Sequence, residues 1–405
     1  MIELAHGVGG RGDLPLPLWM FSWAASIALV LSFIALGFLW TQPKLAALAS
    51  RPEYPIGVAG RAVVMMLRAL ALALYLTALT AGFWGSDDPG RNLLRVTLYV
   101  AVWVGSLVLS GLAIDLWSVI NPLVSLTRIV EGLLGRSGAT SPSAPNSVRG
   151  DLAAAVGMFV FLYYELIHLS GTSPRSIGRL LAVHTVTSVV VGLRWGSNWL
   201  RRHEPFSALS YFVGHLAPFW MRHEATSVGV RVPMSGLAGV PTTVGSVALL
   251  MVVLGGTTFD GFAESRWGRS LFGTAEGWTG TVALTTGLAA SIAIVAALYA
   301  LGCWWVSRVT GERTTDMIGA FAPSVIPIVF GYAVAHYAQL LVDEIQSFWF
   351  RLSDPFGRGW DLFGSAAGEV DYNVISPDTI AWVQVLAILF GHIGAVAVAH
   401  DRSLE

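Results

Sequence analysis

Long apolar runs separated by short polar connections dominate the chain. A helix needs about 20 mostly apolar residues to cross roughly 30 Å of hydrocarbon. Nine stretches meet that length, at 18–40, 62–84, 94–114, 152–168, 177–195, 243–260, 281–304, 318–342 and 379–399. The pattern predicts an all-α fold, a polytopic transmembrane helix bundle of about nine spans forming a single integral membrane domain over 1–405. An odd number of spans places the two ends of the chain on opposite sides of the bilayer.

Three span ends share one local pattern: Trp117 to Asn121-Pro122-Leu123, Trp199 to Glu204-Pro205-Phe206, and Trp349 to Asp354-Pro355-Phe356. In each, a Trp suited to the headgroup zone precedes a polar residue and a Pro that cannot continue the helix. After the Pro comes an amphipathic run, such as FSALSYFVGHLAPFW or FGRGWDLFG. The expected product is a helix that leaves the membrane, turns and lies along the interface.

Composition agrees with the pattern. Of 405 residues, 54% are hydrophobic and only 12% charged, with a mean hydropathy of +0.64. A soluble domain is about 25% charged, so the bilayer is the expected partner. A net charge of −1 gives no basic excess for a polyanion and argues against nucleic acid. The lone Cys303 excludes an intrachain disulfide and a multi-cysteine metal site. The 44 glycines and 16 tryptophans suit membrane helices and their interfaces.

Sorting the 24 basic residues by loop places fourteen on the side of the 41–61 connection, nine on the other, and Arg68 inside the second span. The excess marks the cytoplasmic side, which predicts a multi-pass protein of the cell membrane with its N-terminus outside and its C-terminus cytoplasmic. The 343–378 connection is then an acidic external loop, with seven carboxylates against two arginines, able to concentrate cations. Residues 135–150, GRSGATSPSAPNSVRG, form a flexible cytoplasmic linker by composition. Residues 1–16 lack the charged and apolar regions of a signal peptide.

Ionisable groups inside a span are costly and mark cavities or partners. Glu165 and His168 stand at i, i+3 at the end of the fourth span, on one expected helical face. His184, Asp260, His336, Asp343 and Glu344 fall at similar depth in or near the fifth, sixth and eighth spans. His168, His184, His336 and Asp343 are candidate ligands for a divalent metal ion. Glu165, His168, Asp260 and His336 are candidate catalytic groups for acid–base chemistry. By depth alone, His184 and His336 could also flank a haem. His392 and His400 diverge around the ninth span and are not expected to share a ligand. Arg68 is expected to snorkel to the interface. Gly7-Val8-Gly9-Gly10 is not a phosphate loop, and neither a Gly-x-Ser-x-Gly elbow nor His-Glu-x-x-His is present.

Several pieces resemble a family of bacterial and archaeal multi-span membrane proteins, some of whose members carry the label fenitrothion hydrolase. They are AHGVGGRGDLPLPLW at 5–19, NWLRRHEPFSALSYFVGHLAPF at 198–219, TTFDGF at 257–262, LSDPFGRGWDLFG at 352–364 and GHIGAVAVAHDRSL at 391–404. In similar proteins the AHG segment follows a cleavable leader, whereas here it begins almost at Met1. The resemblance implies phosphotriester hydrolysis, a reaction that commonly uses a metal to activate water. The residues support two expectations of different class: a membrane-embedded hydrolase built on Glu165, His168, Asp260 and His336, and a transporter or channel for a metal ion or small solute. Partner subunits of a larger membrane complex define a third reading.

Overall fold

In the computed structural model the described residues are 18–49, 54–58, 60–136, 138–222, 227–273 and 277–405. The readings of residues 1–16, and the first matching piece up to residue 17, lie outside them. Each of the nine apolar stretches forms helix. In chain order these helices are α1 (Leu18–Leu39), α2 (Arg61–Trp84), α3 (Leu93–Leu112), then two short helices, α4 (Leu116–Ile120) and α5 (Pro122–Leu133). They are followed by α6 (Ser147–Leu166), α7 (Pro174–Trp195), and another short pair, α8 (Ser197–His203) and α9 (Pro205–Gly214). The last four are α10 (Val244–Glu264), α11 (Gly277–Thr310), α12 (Ile326–Ser353) and α13 (Pro377–Ser403).

Among the described residues seven helices are long and apolar enough to cross a membrane: α2, α3, α7, α10, α11, α13 and the run Thr314–Ser353 that ends in α12. Met65, Leu70, Val183, Val190, Ile294 and Leu298 are more than half exposed on them, the outward apolar belt expected of helices in lipid. The chain is a polytopic helical membrane protein. Within α3, residues Thr97–Gly105 are wound as a π-helix, which places the fully buried Trp103 against Phe161, Phe206 and Tyr337. At the α12–α13 crossing Gly331 and Gly391 let the backbones touch. A Cβ on Gly391 would lie 2.8 Å from the Pro327 carbonyl.

The loops gather at two ends of the bundle. At one, Ser86 N donates to Phe356 O and Leu93 N to Pro355 O. At the other, Asp401 accepts from Trp40 Nε1, Leu45 N and Ala46 N, capping the short helix Lys44–Ala49. That second end also carries an antiparallel sheet of β1 (Tyr54–Val58), β2 (Phe219–Arg222) and β3 (Ser227–Val230), in the order β1-β3-β2. Hydropathy gives no sign of it, because its strands are only four or five residues long.

The three Trp-to-Pro segments do not lie along the interface as expected. Eight of the ten residues of α9 are buried. Helix α8 folds back along α7, so that Leu200 approaches Gly192 and Pro205 approaches Gly157, the eleventh of twenty residues in α6. Thus α8 and α9 form a re-entrant hairpin whose tip, Glu204-Pro205, reaches about half the depth of the bundle. Helices α4 and α5 form a second one with its tip at Asn121-Pro122, entering from the same end. Arg68 does not snorkel free but donates from Nε to Val119 O on that hairpin. The third segment starts no helix: both oxygens of Asp354 accept loop amides, from Arg358 and Gly359.

Two further expectations change. Residues 343–353 of the acidic external loop continue α12 as helix. The 135–150 stretch is tied down where it meets α7 and α8: Ser141 N donates to Trp195 O, Asn198 N to Gly138 O and Trp199 Nε1 to Pro145 O.

Candidate functional site

The tips of the two hairpins meet. Asn121 caps α5, its Oδ1 accepting from Leu123 N and Val124 N, while its Nδ2 donates to Glu204 Oε2 at 3.1 Å and Ser207 Oγ at 2.7 Å. Glu204 caps α9 by accepting from Phe206 N and Ser207 N. The same carboxylate also accepts from Ser207 Oγ at 2.9 Å, Trp117 Nε1 at 3.2 Å and His184 Nε2 at 3.3 Å. Its side chain is 0% exposed. A carboxylate this deep survives only when donors replace water, and here the start of α9 supplies two backbone amides and the positive end of its dipole, while Asn121 at the start of α5 supplies its side-chain amide. His184, the eleventh of the 22 residues of α7, fixes this junction at mid-span.

A second polar cluster lies across an aromatic partition. Trp103 stands edge-on to Phe206 at 6.3 Å on one side and to Tyr337 at 6.1 Å on the other. Beyond Tyr337, His336 Nε2 pairs with Asp260 Oδ2 at 2.7 Å, with side chains 11% and 5% exposed. Tyr332 stacks on the imidazole at 6.0 Å. Glu165 is buried and lies within electrostatic range of Asp260 and Tyr337. With Nε2 committed to Asp260, the Nδ1 of His336 is the nitrogen available for proton exchange.

The structure therefore brings Glu165, Asp260 and His336 together and leaves the other predicted residues apart. His168 lies in the turn beyond the end of α6, so it no longer shares a helical face with Glu165. It stacks on Tyr164 at 4.3 Å, and its Nδ1 accepts from Ser170 N. His184 belongs to Glu204. Asp343 lies two turns along α12 from His336, and its neighbour Glu344 faces Arg95 at 3.6 Å. His392 Nδ1 meets Ile388 O and His400 Nε2 meets Trp40 O, so these two share no ligand. Among the described residues no three His, Cys, Asp or Glu side chains stand together as a metal-ligand group. His168, His184, His336 and Asp343 are thus not one coordination set, and the haem pair is split because His184 and His336 each serve a different carboxylate.

Glu204 and Asn121 were legible only as helix exits. The further signal was the absence of charge from Pro205 to Gly214, which suits a segment re-entering the bundle better than one lying in the headgroups. Comparison of the chain with family models, with curated proteins and with solved structures finds no match.

Proposed function

We propose that this chain is a transporter of a small solute, linked to protons through Asp260 and His336. The observation that carries this reading is the meeting of two re-entrant half-helices on Glu204. Non-helical backbone at membrane depth is tolerated where it lines a pathway or is buried in protein, and transporters place interrupted helices with their N-terminal ends at the binding region near the midplane. The Asp260–His336 pair, one aromatic layer away, supplies a proton acceptor whose charge state can bias the packing around Trp103 and Phe206.

The test uses proteoliposomes containing a pH-sensitive dye, challenged in turn with small organic acids, alcohols and inorganic anions. Protein-dependent pH change with at least one solute, lost in Asp260→Asn, is the expected outcome. No protein-dependent change with any solute, or one that ignores Asp260→Asn, refutes it.

The 2.7 Å contact between Asp260 and His336 favours a second reading, the hydrolase that the family resemblance implies. A carboxylate that fixes the tautomer of a histidine makes its other nitrogen a general base, with Glu165 as the neighbouring acid. Hydrolysis of an aryl phosphotriester by the purified protein, abolished in His336→Ala, is what this reading requires. Turnover unchanged in that variant rejects it.

A further inference from the structure

At the sheet-bearing end, between α8, α9, the α3–α4 turn and β2, lies a cavity of about 330 Å³, within the range that holds small ligands. Three guanidinium groups reach its wall, and their circumstances differ. Arg202 Nη1 pairs with Asp151 at 3.0 Å, and its guanidinium lies 4.0 Å from the centre of the Tyr211 ring. Arg231 donates from Nε to Ala217 O and from Nη2 to Gly214 O, and acts on the charge of Asp115. Arg201 is different: its Nε and Nη2 are shut off from solvent and have no hydrogen-bond partner, and no carboxylate pairs with it among the described residues.

A guanidinium cannot shed its proton to escape this position, and an unsatisfied buried donor costs free energy that native structures seldom leave uncompensated. Asp115, the carboxylate in the cavity wall among the described residues, makes no hydrogen bond to Arg201; its Oδ1 accepts from Ser118 N and Ser210 Oγ. Among the described residues Arg202 pairs with Asp151 and Arg231 acts on Asp115, while no carboxylate pairs with Arg201. The lining also includes the rings of Trp220 and of Tyr211, the latter carrying the Arg202 guanidinium.

We propose that this cavity binds a monoanion with a carboxylate or phosphate head and an apolar body about the size of one aromatic ring. On binding, Arg201 turns its planar fork toward the cavity and holds the head bidentately, and the body lies against Trp220. The same chemistry is offered by a free organic anion and by a phospholipid headgroup, and these are separated below. As the solute class of the proposed transporter, the assignment rests on that reading. Binding is measured without flux, so either can fail alone.

The experiment is equilibrium binding of radiolabelled benzoate to the purified full chain in an uncharged detergent, with thermal unfolding alongside. Benzoate should bind saturably and raise the unfolding temperature, with benzamide, its uncharged isostere, at least tenfold weaker. Arg201→Met should cost tenfold or more in affinity while the ligand-free protein unfolds at or above the wild-type temperature, since Nε and Nη2 have no hydrogen-bond partner to lose. Arg201→Lys keeps the charge without the fork and should fall between the two. Competition by short-chain phosphatidic acid, with an anionic phospholipid co-purifying with wild type but not with Arg201→Met, identifies the lipid form. Binding without such a lipid identifies the free anion. Benzoate binding that ignores Arg201→Met overturns the proposal. So does an Arg201→Met protein that is markedly less stable than wild type, or the absence of both benzoate binding and an Arg201-dependent lipid.

Discussion

Replacing Glu204 by alanine removes the acceptor on which both hairpin tips converge. Trp117 Nε1, Phe206 N, Ser207 N, Ser207 Oγ and His184 Nε2 then lose their partner, whereas Asn121 Nδ2 keeps Ser207 Oγ at 2.7 Å. Hydrogen bonds inside helical membrane proteins are worth about 0.6–1.7 kcal/mol each, so five orphaned donors predict a loss of about 3–8 kcal/mol. Glutamine behaves differently. Its oxygen can face the crowded side toward Trp117, Asn121 and Ser207 and its amide can face His184, so that only the Phe206 bond is lost, at a cost of about 1 kcal/mol. The assay is equilibrium unfolding in mixed micelles, following tryptophan fluorescence as denaturing detergent is titrated. An alanine variant as stable as wild type would mean that the junction does not hold the hairpins. A glutamine variant as damaged as the alanine one would mean that the charge, and not the set of accepted hydrogen bonds, is what matters.

Two further outcomes follow from the packing and the loop. Gly331→Ala places a methyl against the Ala387 carbonyl at the α12–α13 crossing and should destabilise by about 1–3 kcal/mol. Gly302→Ala on α11, where nothing lies within 4 Å, should stabilise by about 0.5–1 kcal/mol. The two variants in the same titration must move in opposite directions. In the 354–376 loop, the Ala366 amide and then the Ser353 hydroxyl hold Asp361 below its ordinary carboxylate value. A carboxylate depressed by the fold stabilises it above its unfolded pKa, and that contribution is lost as pH falls through the folded value. The loop should therefore become more sensitive to pepsin as pH drops below about 4, with digestion normalised to an unfolded reporter peptide. Asp361→Ala should be cut at a rate that no longer changes over that range, and a variant that keeps the wild-type profile rejects the assignment.

Much of the bundle was legible because each long apolar run has to span or be buried, whatever its neighbours do. All nine such runs became helices. Glu165, Asp260 and His336 were also found by a local rule, the cost of an ionisable group at depth, which applies before any partner is known. Partners were not legible. His184 and His336 look alike in sequence, each an imidazole in an apolar helix. One serves Glu204 at 3.3 Å and the other Asp260 at 2.7 Å, 20 and 76 residues away along the chain. The longest such contact joins Asp401 to Trp40 and the helix after it, a cap that no local pattern announces.

The three Trp-to-Pro segments show where the local rule lacked a term. A polar residue followed by Pro ends a helix, and it begins the next one by capping it, whether the chain then leaves the membrane or turns back into it. What separates the cases is the free energy of the residues that follow. After Pro205 the chain runs FSALSYFVG with no charge, and its small hydroxyls find partners inside: Ser210 Oγ bonds to Ser110 Oγ and to Asp115, and Ser207 Oγ to Glu204. After Pro122 the first charge is Arg128, nearly two turns on and near the hairpin's open end, where it reaches Asn198. After Pro355 the charge comes at Arg358, with Asp361 close behind. A charge at the bundle centre costs several kcal/mol, more than a cap returns, so the third segment stays with the loops and the first two fold inward. Moving the charge should move the chain. Ser207→Arg puts a guanidinium beside the hairpin tips, and it should release α8 and α9 to protease at the sheet-bearing end. Continued protection there would show that packing around Phe206 outweighs the charge.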